Sequence, residues 1–116
     1  HVFVLVISDP SFNINQASFD VISHNIDNFT DKNYKTEGSL ENNSYVMITV
    51  SGFNNNKEAW AYFESFKPER IVRNISTANF MTFLINDNNL KALKKDKNPG
   101  RYLIFFRENY TGGGKR

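Results

Sequence analysis

The sequence predicts an α+β domain in which two helices cover one face of a four-stranded antiparallel sheet. Two short apolar runs, Val2–Ile7 and Phe80–Ile85, are typical of buried strands. Between them, two segments carry apolar residues at spacings of three and four, as amphipathic helices do. A polar turn at 41–44 separates two further strand-like segments. The expected order is therefore β-α-β-β-α-β, followed by a helical tail.

The first strand is expected at the centre of the sheet. Its six consecutive apolar residues, Val2–Ile7, are followed by Ser8-Asp9-Pro10. An edge strand, or a strand covered on one side, would alternate apolar and polar residues, whereas a strand covered on both faces need not. We expect the rest of the chain to pair with this strand and to cover it.

The first amphipathic helix is expected to begin after Asn13 or Asn15, either of which can cap it. Its apolar spacing predicts which side packs on the sheet. That side consists of Phe19, Ile22, Ile26 and Phe29, with Ala17 and Val21 widening the stripe. The side expected to face solvent consists of Gln16, Asp20, Ser23 and Asp27.

The second and third strands form a predicted hairpin. Residues 34–40 are a weak strand candidate, which Gly38 interrupts. The charged residues of this segment suit a strand at the edge of the sheet. In Tyr45–Ser51 the residues alternate between two faces. One face carries Val46, Ile48 and Val50, and the other carries Tyr45, Met47 and Thr49. We expect the second of these faces to be the wetter one.

The second helix is expected to begin at Asn55, which forms an approximate capping box with Glu58, and to end before Pro68. Its apolar stripe is Ala59, Tyr62, Phe63 and Phe66. Residues 69–78 show no period and are expected to form a loop. After the last strand, Asn86–Asn89 should cap a short helix with Leu90 and Leu93. A final helix is expected from Pro99, carrying Tyr102, Leu103, Phe105, Phe106 and Tyr110.

This order, with both helices on one face, is the ferredoxin-like arrangement. In it the first and third strands are central neighbours, which suits their apolar content. The C-terminal helices could cover the other face or an edge. We expect a single ferredoxin-like domain over residues 1–110. Residues 111–116 should form a flexible tail or an expression remnant, because Gly112-Gly113-Gly114 precedes the last two residues.

Composition narrows the class of protein. At 116 residues the chain can build one core but not two. The formal charge of +2 vanishes without the two cations of the tail, Lys115 and Arg116, and is a weak argument for nucleic-acid binding. The absence of cysteine excludes disulfides and thiol chemistry. No segment approaches the roughly 20 apolar residues of a membrane span. A chain that starts in a core strand, without a signal peptide, is expected to be a piece of a longer protein.

We predict no catalytic, metal or cofactor site. His24 is the only internal histidine and is expected to be an exposed or half-buried structural residue. The acidic residues are scattered, without a pair that could divide acid and base roles. The acidic stretch around Asp31 has Thr36 where a calcium loop needs glycine. No helix follows the C-terminal glycines, as a phosphate-binding loop would require.

Nucleic-acid binding is a poor match, because the third strand offers Tyr45 without a basic residue at its start. Four lysines of the tail, Lys91, Lys94, Lys95 and Lys97, are expected to form a solvated helix face. The tail aromatics could pack in the core or form a protein-binding patch. The predicted candidate interaction surface consists of Tyr45, Met47, Thr49, Lys94, Lys95, Tyr102 and Tyr110.

Several segments resemble one family. They are the opening residues 1–6, residues 48–53 followed by 58–63, and the closing residues 83–90 and 102–110. They resemble a C-terminal domain of large Bacteroidetes lipoproteins that carry tetratricopeptide repeats and belong to gliding motility and type IX secretion, the SprE and PorW group. The resemblance covers residues 1–110 and rests mostly on packing residues. One departure is His24-Asn25, where a Phe-Asn pair is expected.

The resemblance implies a periplasm-facing domain that is attached to the outer membrane through the lipid anchor of its parent protein. It implies a scaffolding role without catalysis, and other subunits of a secretion or motility complex as partners. It supplies no catalytic or ligand-binding residues for this chain.

The sequence is compatible with three functions. The leading one is a noncatalytic protein-interaction module that uses a sheet face, a sheet edge or the tail helix. The second is a peptidoglycan-binding module like the SPOR domains, which have a similar strand order and bind glycan on the sheet face that the helices leave open. A tail helix packed across that face would remove the groove. An enzyme would need a base paired with His24, or two carboxylates in a pocket.

Overall fold

The computed structural model describes residues 1–41 and 43–96. It is a mixed α+β structure with a four-stranded antiparallel sheet and several helices. The strands are β1 (Val2–Ile7), β2 (Lys35–Glu41), β3 (Tyr45–Ser51) and β4 (Phe80–Ile85). The helices are α1 (Ile14–Asn28), α2 (Asn56–Ser65), α3 (Pro68–Ile71) and α4 (Asp87–Asp96), with a 3-10 turn at Ile75–Thr77. The helix predicted from Pro99 and the predicted tail at 111–116 lie outside the described residues.

The strand order is β2-β3-β1-β4, so β1 and β3 are neighbours at the centre, as their apolar content predicts. Strand β1 is antiparallel to both of its neighbours, and Leu5 lies opposite Ile48 on one side and Thr82 on the other. Every residue of β1 is at most 5% exposed, which confirms the prediction of a strand covered on both faces.

Strands β2 and β3 form the predicted hairpin, closed by a hydrogen bond of 2.9 Å from the Ser44 N–H to the Glu41 carbonyl. Gly38 does not interrupt β2. A Cβ atom at Gly38 would lie 2.5 Å from Ser18 Oγ and 2.8 Å from Ile14 Cγ2. The glycine therefore lets α1 pack against the edge strand more closely than any side chain would permit.

The predicted helix starts are confirmed by their caps. The Asn13 side chain accepts a hydrogen bond from the Gln16 N–H at 3.0 Å, and the Asn55 side chain accepts one from the Glu58 N–H at 2.8 Å. Residues 69–78, in contrast, are not a plain loop. Pro68 begins α3, and Val72 and Ile75 are 2% and 1% exposed. These two apolar side chains anchor the segment to the core without any periodic pattern.

Helix α2 lies on the side of the sheet to which Phe3 points, because the Phe3 ring lies 5.1 Å from that of Tyr62 and 4.6 Å from that of Phe66. The opposite side is buried as well, since Val4 and Val6 are fully inaccessible. The cross-strand register places Met47 opposite Val6 on that second side. On the face of β3 that was expected to be wetter, only Thr49 is partly accessible, whereas Tyr45 and Met47 are buried.

Helix α1 packs on the sheet through only the smaller residues of the predicted side, and Asp20, which was predicted to face solvent, is buried. Ala17 and Val21 are fully buried, and the polar residues Asp20 and Asn25 are 8% and 7% exposed. The close approach at Gly38 favours small side chains on the inner side of the helix. The bulkier residues of the predicted stripe, Phe19, Ile22 and Ile26, point outward.

Candidate protein-interaction surface

The outer side of α1 carries an exposed apolar surface, which we call the α1 stripe: Phe19, Ile22 and Ile26. Their exposed fractions are 60%, 40% and 62%. Because residues three and four positions apart share one side of a helix, the three side chains form a continuous patch. Single exposed apolar residues are ordinary, whereas a contiguous patch on a helix indicates a contact site.

A groove continues the α1 stripe toward strand β2, and we call it the α1–β2 groove. Its volume is about 160 Å³. Its apolar wall consists of Ile22, Ile26 and Phe29, and its polar wall consists of Asn25, Thr30, Lys32, Tyr34 and Thr36. The stripe and the groove share two isoleucines and thus form one surface.

The polar wall of the groove is held by Glu58 at the start of α2. The Tyr34 hydroxyl donates to Glu58 Oε2 at 2.8 Å, and Lys32 Nζ lies 3.4 Å from Glu58 Oε1. The hydrogen bond from Tyr34 holds the pKa of Glu58 below its usual value. Burial and the same hydrogen bond raise the pKa of Tyr34, so its hydroxyl remains a donor at neutral pH. The connection from α1 to β2 is therefore tied to α2.

The inner part of the groove rests on a buried hydrogen-bond chain. The fully buried Tyr62 hydroxyl donates to Asn25 Oδ1 at 2.6 Å. Asn25 Nδ2 in turn donates to Thr36 Oγ1 at 3.3 Å. Burial raises the pKa of Tyr62, which keeps it a donor. These two hydrogen bonds link α2, α1 and β2, and they satisfy the amide of Asn25, which α1 turns inward.

Aromatic rings pack directly behind these hydrogen bonds. Tyr34 lies 4.8 Å from Phe53 and 5.5 Å from Phe29, and Tyr62 lies 5.4 Å from Phe29, measured between ring centroids. Such tilted and edge-on pairs add stabilisation beyond burial of area. The groove consequently has rigid walls.

His24 belongs to the same aromatic environment. Its ring makes edge contacts with Phe29, Tyr62 and Phe66 at 6.0, 6.2 and 5.6 Å. Nδ1 lies 3.2 Å from Asn28 Nδ2, and the buried Nε2 has no hydrogen-bond partner among the described residues. Burial lowers the pKa of His24, and the charge of Asp27 only partly opposes this. This arrangement suits a packing residue.

The other inward-facing polar residue of α1, Asp20, is held by Arg73. The Arg73 N–H donates to Asp20 Oδ2 at 3.0 Å and its guanidinium donates to Oδ1 at 3.1 Å. Burial raises the pKa of Asp20, but these hydrogen bonds outweigh it and hold the pKa below the usual value. The ion pair fastens α1 to the segment after α3.

The structure does not bring the predicted surface residues together at an accessible site. Tyr45 and Met47 are 4% and 1% exposed, which contradicts the accessibility expected for them, while Thr49 is half-buried. They share a side of the sheet with the inaccessible Val4 and Val6, so this side is covered and not open to a partner. Lys94 and Lys95 are exposed in the last turn of α4. Tyr102 and Tyr110 lie outside the described residues.

Two further properties concern only residues 1–41 and 43–96. In this part of the chain, no three His, Asp or Glu side chains lie close enough together to hold a metal ion. None of its helices combines the length and the apolar character needed to cross a membrane.

The chain matches no protein-family model, no curated protein and no solved structure. The family resemblance stated above therefore stays a prediction.

Sequence reasoning missed the α1 stripe because it assigned these residues to the core. Two signals point the other way. Ala17, Val21 and Asn25 recur every four residues and form a second, smaller stripe. Gly38 marks a close approach to its strand that bulky residues could not make.

Proposed function

We propose that this chain is a noncatalytic protein-interaction domain and that the α1 stripe with the α1–β2 groove is its docking surface. The observation that supports this most directly is the exposure of Phe19, Ile22 and Ile26 on one side of a helix. Burying apolar area contributes about 25 cal/mol per Å², so such side chains gain free energy when a partner covers them.

The arrangement of the surface favours docking over chemistry. The groove has an apolar wall beside fixed polar groups, which is how protein-binding pockets accept an anchoring side chain. The tyrosine of its polar wall donates its hydroxyl to Glu58, at the start of α2. His24, the one internal histidine, packs against aromatic rings. We therefore propose a binding role without a catalytic step.

We propose further that the domain has the ferredoxin-like arrangement and belongs to a secretion or gliding-motility lipoprotein of the SprE and PorW kind. The strand order β2-β3-β1-β4 and the antiparallel pairing of all neighbours support the first part. The sequence resemblance supports the second. In that setting the domain would lie in the periplasm, associated with the outer membrane through its parent protein, and contact other subunits of the complex.

The peptidoglycan-binding alternative needs an open sheet face. Val4, Val6, Tyr45 and Met47 on the side away from α2 are at most 4% exposed, so no observation favours this alternative.

A capture experiment tests the proposed function. The immobilised chain and its Ile26→Asp variant would be incubated with a detergent-solubilised envelope fraction of a gliding Bacteroidetes bacterium. The variant Ala61→Asp, which places the same charge on an exposed position of α2, serves as the matched control. We expect secretion or motility subunits to be retained by the unaltered chain and by Ala61→Asp, and to be lost with Ile26→Asp.

Equal retention by all three proteins would contradict a role for the α1 stripe. Isolated peptidoglycan sacculi, pelleted with the same three proteins, provide the second arm. Retention of the chain on sacculi would favour the glycan-binding alternative over a protein-interaction domain.

A further inference from the structure

We propose that the α1 stripe binds a second copy of this chain, through an antiparallel pair of α1 helices related by a two-fold axis. The inference rests on the proposed function, because it names the occupant of the same surface. The shape and the charge of the surface support a second copy, and its size makes the contact weak.

The spacing of the α1 stripe suits a partner helix. Phe19, Ile22 and Ile26 follow one another at three and four positions along α1, and Phe29, the residue after its last turn, belongs to the groove wall. This alternation keeps one side of a helix in contact with another helix along its length. A strand or an irregular peptide would not meet all three residues in this way.

The surface contains both a protruding ring and a space that fits one. Phe19, 60% exposed, projects at the N-terminal end of the stripe, and the α1–β2 groove lies toward the C-terminal end. The groove volume of about 160 Å³ accommodates a phenyl ring. An apolar cavity of about 150 Å³ in another protein binds benzene, which gives the scale.

An antiparallel pair brings these two features together twice. With the two-fold axis near residue 24, Phe19 of one copy lies opposite Phe29 of the second copy, and Ile22 lies opposite Ile26. The same surface then serves both copies, as a two-fold interface requires. Each Phe19 reaches the wall of the groove of the other copy. In a parallel pair the two Phe19 rings would meet each other, and both grooves would stay empty.

The charge of the outer side of α1 permits this pairing. The residues of α1 that flank the stripe are uncharged: Gln16, Ser18 and Ser23. The carboxylate of Asp20 turns inward and is paired with Arg73. Asp27 is the remaining acid of α1. A second copy therefore meets no row of like charges, and the surface has no charge pattern that would select an oppositely charged partner.

The size of the surface makes the pair weak. Stable interfaces bury about 800 Å² on each partner, much more than three partly exposed side chains supply. We expect a dissociation constant on the order of 100 µM. Two copies held in one assembly have effective concentrations in the millimolar range, at which such a pair is closed.

Sedimentation equilibrium of the full chain between about 10 µM and 2 mM, a range that brackets this dissociation constant, tests the inference. We expect the mean mass to rise from the monomer value of 13.4 kDa toward twice that value. Phe19→Ser, which removes the protruding ring, and Ile26→Asp, which alters the groove wall, should both remain monomeric. The control Ala61→Asp should associate like the unaltered chain. Circular dichroism confirms that each variant is folded.

The absence of native cysteine permits a test of orientation. Ser23 lies next to the expected two-fold axis, whereas Ala61 lies on α2. A short bis-maleimide linker should join two copies of Ser23→Cys and leave Ala61→Cys as single chains. Equal yields from the two variants would overturn the antiparallel pair.

The outcomes separate this inference from the proposed function. A chain that stays monomeric up to about 2 mM, a concentration about twenty times the expected dissociation constant, overturns the second copy as occupant. If Ile26→Asp still abolishes capture of envelope proteins, the docking surface stands and its partner is a different protein. If the chain neither associates nor captures a protein through this surface, both proposals fail.

Discussion

The two sides of α1 reverse the usual distribution of side chains. The inner side buries Asp20 and Asn25 together with the small residues Ala17 and Val21, while the outer side exposes phenylalanine and isoleucine. The aspartate and the asparagine can be buried there because each has hydrogen-bond partners: Arg73 for the aspartate, and Tyr62 with Thr36 for the asparagine.

Apolar spacing on a helix therefore does not by itself identify the side that is buried. Burying a polar side chain is costly only if it lacks a hydrogen bond. When partners are available and the approach is close, a stripe of small residues can face the sheet. The larger apolar side chains then remain for a contact outside the domain.

Gly38→Val is expected to have the largest effect on the inner side. Because a Cβ atom there would lie 2.5 Å from Ser18 Oγ and 2.8 Å from Ile14 Cγ2, α1 must move away from β2. We expect the free energy of unfolding to fall by about 3 kcal/mol, measured by urea denaturation. Gly38→Ala should cost less. An unchanged midpoint for the valine variant would show that the close approach is not required.

Val21→Ala and Ile26→Ala compare the two sides directly. Val21 is fully buried, and removal of its methyl groups should lower the free energy of unfolding by about 2 kcal/mol. Ile26 is 62% exposed, and its replacement should change stability by less than about 0.5 kcal/mol. Denaturation of both variants under one set of conditions measures this difference. Similar losses from the two variants would contradict the assigned orientation of α1.

Tyr62→Phe removes only the hydrogen bond that offsets the cost of burying Asn25 on the inner side of α1. The ring and its packing are retained, but Asn25 Oδ1 loses the donor that lies at 2.6 Å. We expect a loss of about 1 to 2 kcal/mol. The double variant Tyr62→Phe with Asn25→Leu should recover part of this loss, because it leaves no unpaired amide. A double variant less stable than either single variant would argue that the buried hydrogen bonds are not the reason for the orientation of α1.

His24 provides the smallest expected effect, a pH dependence. Its folded pKa lies below the ordinary value of about 6.5, because burial disfavours the charged ring. The unfolded chain therefore takes up a proton first as the pH falls. The contribution of neutral His24 to the free energy of unfolding is complete above about pH 6.5, and it is lost as the pH falls toward the folded pKa.

His24→Leu should consequently flatten the dependence of the unfolding free energy on pH just below about pH 6.5, where histidine titrates. Asp20→Asn provides the control, since a carboxylate with a lowered pKa loses its contribution only in more acidic solution. A variant that retains the full slope between pH 5 and 7 would show that another group causes it.

Much of the fold could be predicted because the apolar runs and helix caps in the sequence agree with the strands and helices of the folded structure. The apolar run of Val2–Ile7, the caps Asn13 and Asn55, and the strand Phe80–Ile85 lie where the pattern places them. Val72 and Ile75 escaped prediction because each is an isolated apolar residue in an aperiodic segment. The accessible face expected at Tyr45 and Met47 was wrong because alternation along a strand separates its two faces without stating what covers them.

The amino-acid sequence alone predicts the four strands, the helices α1, α2 and α4 and the central position of β1, because hydrophobic periodicity and capping act over a few residues. Which side of α1 is buried depends on contacts within the folded structure. That choice depends on Tyr62 reaching Asn25 across 37 positions and Arg73 reaching Asp20 across 53. Hydrogen bonds between such distant residues leave no local pattern, yet they turn Phe19, Ile22 and Ile26 toward solvent and so form the α1 stripe.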